Sequence, residues 1–105
     1  MAQWDVYPNP SSRSRDRLPY VVDIQSNLLD PLPTRMVMPL SRSSVARGDL
    51  PPRLAPEFTI RGETLLLKAH EASHLLSRDL RRPVTSLRDQ AHRLVDAFDA
   101  VISGI

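Results

Sequence analysis

At 105 residues the chain is read as one domain over residues 1–105, small enough that folding hides only about two thirds of its unfolded surface, so a second subunit would add useful burial. Its 41% hydrophobic and 25% charged residues are globular proportions. No apolar run nears the ~20 residues that span a bilayer, no signal segment opens the chain and cysteine is absent, which excludes a membrane-spanning helix and a disulfide framework and leads us to expect a cytoplasmic protein. The net charge of +2 comes almost wholly from arginine, Lys68 being the only lysine. So slight an excess does not mark a nucleic-acid binder.

In chain order, "AQWDVY" predicts a short strand with Trp4 and Val6 alternating with Asp5. "PNPSSRSRDR" predicts a loop carrying Arg13, Arg15 and Arg17 at intervals of two, either a solvated basic loop or a docking site for an acidic partner segment. "PYVVDIQS" predicts a strand with Tyr20, Val22 and Ile24 on one face and Val21, Asp23 and Gln25 on the other, and "NLLDPLP" predicts a turn. "TRMVMPL" is a further strand, with Met36, Met38 and Leu40 on one side. Pro39 removes a ladder donor, which points to an edge or a strand end.

"SRSSVARGDLPPRLAPE" has no sustained period and reads as a connection with at most one short strand or turn. "FTI", Arg61, Gly62 and "ETLLLKA" form a hairpin pattern in which Gly62 supplies the positive φ of a tight turn and Leu65, Leu67 and Ala69 face inward. After Pro83, Ser86 and Asp89 have capping-box-like spacing. Leu87, Ala91, Leu94, Phe98 and Ile102 then recur at helical intervals, with Asp89 placed to pair with Arg93 one turn on.

"HEASH" matches the H-E-x-x-H pattern, in which a helix presents His70 and His74 as zinc ligands with Glu71 as general base. A small zinc metallopeptidase is therefore the alternative from the enzyme class. Against it, the motif continues the β-type alternation of "ETLLLKA", and on an extended segment the two imidazoles stand too far apart for one metal.

"YVVDIQSNLLD", "RMVMPL" and a helix ending in Gly-Ile together resemble the CcdB family, the toxins of plasmid-addiction modules that poison DNA gyrase. The resemblance runs from Tyr20 to the last residue, with a longer loop after the first strand and low identity over residues 41–82. It implies a mainly β fold with a C-terminal helix: an SH3-like antiparallel barrel with a small accessory sheet, assembled as a homodimer. It also implies a protein that acts by binding, without cofactor, metal or catalysis, toward two partners, the gyrase A subunit and a CcdA-like antitoxin. Neither nucleic acid nor membrane is a direct partner.

The gyrase contacts it implies are Leu28, Leu29, Asp99, Ile102, Ser103, Gly104 and Ile105; Arg13, Arg15 and Arg17 would meet the antitoxin. At the tip, Ser103 stands where the family has tryptophan. Burying such a ring is worth roughly 4 to 6 kcal/mol at about 25 cal/mol per Å², and serine recovers little of it. Asp99 replaces the family's usual asparagine and is either solvated or paired, with Arg93 or with an arginine of the target. A CcdB-fold protein with weakened or retargeted activity is the second reading. From spacing alone, Gly104 is a left-handed helix cap and Ile105 packs back on the last turn.

Overall fold

The computed structural model describes residues 2–42 and 54–104. Within them an antiparallel sheet curls into a nearly closed barrel capped by one helix, as the resemblance implies. The strands are β1 (Asp5–Pro8), β2 (Tyr20–Asp23), β3 (Thr34–Ser41), β4 (Glu57–Ile60), β5 (Glu63–Leu67), β6 (Ser73–Leu76) and β7 (Thr85–Ser86), and helix α1 covers Ala91–Ser103. The sheet order is β4-β5-β3-β2-β1-β7, with β6 lying off this path against the first half of β3.

The alternation in β2 and β3 sorts their side chains onto two buried faces. Val22, Met38 and Leu40 enter the main core with Val6, Phe58, Ile60, Leu65, Leu67, Leu87 and Leu94. Val21 and Val37 enter a smaller one with Tyr7 and Leu80. Leu75 of β6 packs on that second face, and Asp23, Gln25 and Arg35, which alternation alone would leave solvated, are buried as well.

Pro39 corrects the expectation of an edge or a strand end. It sits in β3 opposite Val21 of β2, in the middle of the sheet. The Pro39 carbonyl accepts from the Lys68 N–H at 3.0 Å, so its donorless nitrogen also faces away from β2. On that side the partner of β3 changes from β6, which ends opposite Val37, to β5, which begins opposite Leu40. The missing donor falls at the changeover, where no ladder bond is lost.

The hairpin forms as expected. Arg61 (φ 51°) and Gly62 (φ 80°) are both left-handed and join Ile60 to Glu63, the two-residue connection whose twist matches the flanking strands.

Three boundaries differ from expectation. Trp4 has φ 77° and donates its N–H to the Asp23 carbonyl, so β1 starts only at Asp5. Ser86 and Asp89 form no capping box: Ser86 pairs with Asp5 in β7, its hydroxyl accepts from the Arg88 N–H, and α1 starts at Ala91 without a side-chain cap. Strand β6, which no alternation announces, begins at Ser73 within the His-containing motif and runs past it to Leu76. The predicted connection between residues 43 and 53 lies outside the described residues, as does Ile105.

Helix α1 closes one end of the barrel with Leu94 and Ala97 in the main core. Its apolar stripe outruns that core: Val95, Val101 and Ile102 are exposed.

Candidate functional site

Among the described residues, the positions predicted as contacts fall on two projections. The first is the 3-10 turn Asn27–Leu29, started by Ser26, whose hydroxyl accepts from the Leu28 N–H. Leu28 is 89% exposed and Leu29 46%, so this turn displays apolar surface without using it for packing.

The second projection is the end of α1. Ile102 is 71% exposed, Ser103 is exposed and donates its hydroxyl to the Asp99 carbonyl at 2.8 Å, and Gly104 adopts φ 74° with its N–H on the Ala100 carbonyl. Gly104 is therefore the left-handed cap that its position suggests. A Cβ there would meet nothing within 4 Å; the demand for glycine is conformational. Asp99 is exposed and pairs with no described cation.

Beside α1 runs an apolar groove of about 210 Å³, lined by Trp4, Ile24, Met36, Met38, Val95, Phe98 and Asp99 among others. Gln3 lines it too and ties it to the turn, donating its backbone N–H to the Asn27 side chain and its own amide to the Ile24 carbonyl.

Beneath the turn lies a polar cluster that the sequence did not disclose as a unit. Arg35 Nε donates to Asp23 Oδ2 at 2.8 Å and Nη1 to Asp30 Oδ1 at 2.6 Å. Burial pushes the Asp23 carboxyl above its ordinary range, against bonds from the Gln25 N–H and Arg35 that act the other way. Burial works against the charge on Arg35, but hydrogen bonds to Asp30 and Asp23 outweigh it and raise its pKa. Tyr7 is pushed up to about 12, first by burial and then by the nearby carboxylates of Asp5 and Asp23.

On the loop after β1, Arg13 and Arg17 are exposed. Arg15 is partly committed to the loop itself, donating to the carbonyls of Asn9 and Pro10. Buried Asn9 organises this loop by bonding the Ser14 hydroxyl and the Leu18 carbonyl. Arg15 faces Arg81 and Asp79 across a cleft of about 470 Å³, and Arg81 is a cation that sequence spacing had not grouped with the loop.

The His-containing motif does not form a metal-binding helix. His70 lies in the 3-10 turn Ala69–Glu71, Ala72 is extended, and His74 belongs to β6. Glu71 instead stands 3.5 Å from both Lys68 and His70. Among the described residues no group of three or more potential ligands is brought together. The predicted Asp89–Arg93 pair is also absent: Arg93 bonds Gln90 and the Glu57 carbonyl.

The family model described as "CcdB protein" matches residues 3–104. The chain belongs to the CcdB family. Among solved structures, one titled "Crystal structure of Mtb toxin" is similar in fold, with a TM-score of 0.64 and 14% sequence identity over 78% of this chain and 90% of that one. No curated protein matches the chain.

Proposed function

We propose that this protein is the toxin of a type II toxin–antitoxin pair, a CcdB-like binder that engages the gyrase A subunit and traps the cleaved gyrase–DNA complex without catalysing a reaction. The observation that carries this reading is the exposure of Leu28 and Ile102, the latter two residues before a left-handed Gly104, in a chain of the CcdB family. Its contacts would be Leu28, Leu29, Asp99, Ile102, Ser103, Gly104 and Ile105. A homodimer in the cytoplasm is part of the same proposal, with the apolar groove beside α1 as the surface a second copy would cover. An acidic antitoxin segment would follow Arg13, Arg15 and Arg17, with Arg81 across the cleft adding charge.

Ser103 favours a second reading, a CcdB-fold protein with weakened or retargeted activity, because no aromatic anchor stands at the tip. The deciding experiment is titration of the wild-type chain and Ser103→Trp against a gyrase A fragment, with supercoiling and cleavage-complex assays on whole gyrase. Binding that strengthens with Ser103→Trp and disappears when residues 103–105 are deleted supports the gyrase reading. Failure of both full-length chains to bind rules gyrase out as the target.

A further inference from the structure

The 3-10 turn that displays Leu28 and Leu29 has no buried residue of its own. Apolar burial therefore does not hold it in shape, and besides its own Ser26 cap and the Gln3–Asn27 bond its order comes from polar groups lying beneath it. Two side chains do this. Gln25, itself buried, donates its amide to the carbonyls of Leu29 (3.4 Å) and Thr34 (3.0 Å) and accepts from the Met36 N–H. Arg35 is the largest fully buried side chain among the described residues. Asp23, fully enclosed, lies 2.8 Å from both Nε and Nη2 of Arg35, which satisfies the charge of the guanidinium within the sheet. The remaining nitrogen points outward to Asp30 Oδ1 at 2.6 Å, directly behind the turn, and Nη2 also reaches the Gln25 carbonyl at 3.3 Å.

We infer that Arg35 is a positioning residue for partner recognition: anchored by Asp23, it holds the turn through Asp30 so that Leu28 and Leu29 are offered to a protein partner as a preordered apolar projection. This rests on reading those leucines as target contacts. A projection already fixed in its bound shape avoids the ordering cost that a free turn would incur on docking. The planar guanidinium suits the task because it can satisfy a buried carboxylate on one edge and a half-exposed one on the other.

Asp30 is the place to test this. It is half exposed, with 49% of its side chain accessible, so Asp30→Ala removes the outer contact and leaves the buried Asp23–Arg35 pair intact. In Asp30→Ala, ¹⁵N relaxation should show the Leu28 and Leu29 amides becoming mobile while those of β2 and β3 stay rigid. Affinity for a gyrase A fragment should fall about tenfold, with Asp30→Asn, which keeps the acceptor oxygen, falling less. In a Leu28→Ala, Leu29→Ala background, Asp30→Ala should change affinity less than about twofold, since the residue acts through those leucines. Unchanged amide dynamics, or the same loss of affinity without the leucines, overturns the inference. If the wild-type chain fails to bind the fragment while Asp30→Ala still loosens the turn, the gyrase reading fails and the ordering role of Arg35 is upheld.

Discussion

The guanidinium carbon of Arg93 lies 4.3 Å from the centroid of the Phe58 ring, and the same side chain donates to the Glu57 carbonyl. One residue thereby fastens the first turn of α1 to β4, through a cation over an aromatic face and a charged donor on a strand carbonyl. Arg93→Ala should cost about 1 to 2 kcal/mol, seen as a lower urea midpoint with an unchanged slope. Arg93→Lys should restore only part of this, because an ammonium lacks the flat face and forked donors. A midpoint unmoved by Arg93→Ala would show that the contact contributes nothing net.

Tyr7 supplies a prediction about alkaline pH. Its folded pKa of about 12 exceeds the ordinary 10.0, so the native state keeps the phenol proton that the unfolded chain releases. The stability from this group is complete below pH 10 and is lost as pH rises through 12. The displacement of two pH units is worth about 3 kcal/mol. In Tyr20→Phe, where Tyr7 is the only tyrosine left, phenolate absorbance should rise near pH 12 in the folded protein. A rise centred near pH 10 while the fold persists would refute the buried, carboxylate-flanked environment.

Gly104→Ala places a side chain on a residue at φ 74° with open space around it. The cost is backbone strain of roughly 1 to 2 kcal/mol, and fraying of the last turn relieves it. Amide exchange at residue 104 should quicken while the core amides keep their protection. Loss of core protection would mean that the cap supports more than the tip.

Removing metal should do nothing. Because His70 and His74 occupy a 3-10 turn and a strand, the purified protein should contain no stoichiometric zinc, and EDTA should leave its melting temperature unchanged. One zinc per chain, abolished by His70→Ala, would reinstate the metal site.

The dimer can be tested at the groove. The wild-type chain should sediment as a dimer at micromolar concentration, and Val95→Glu should shift it to monomer by placing a charge on the groove wall formed by α1. A wild-type chain that sediments as a single protomer defeats the proposal.

Local pattern made the hairpin, the alternation of β2 and β3 and the presence of a terminal helix legible, because each depends on neighbours a few residues apart. Arg61 and Gly62 between two apolar runs specify a two-residue turn. Leu94, Phe98 and Ile102 recur at helical spacing whatever they face. The exposed tip residues could be named as candidates from the family pattern, although their exposure could not be read from it: Leu94 and Ile102 share one apolar stripe, yet one is fully buried and the other 71% exposed.

Tertiary structure alone decided the rest, and in each case the partner lies far along the chain. Asp23 and Arg35, which no pattern within either strand joins, meet as a buried pair where β2 and β3 lie side by side. Pro39 is tolerated mid-sheet because the neighbouring strand changes at that point. Arg93 passed over nearby Asp89 for β4, whose strand carbonyl and aromatic ring both lie within reach of the first turn of α1. Sequence spacing reports which side chains share a face of one element; which element covers that face depends on how the chain returns from a distance.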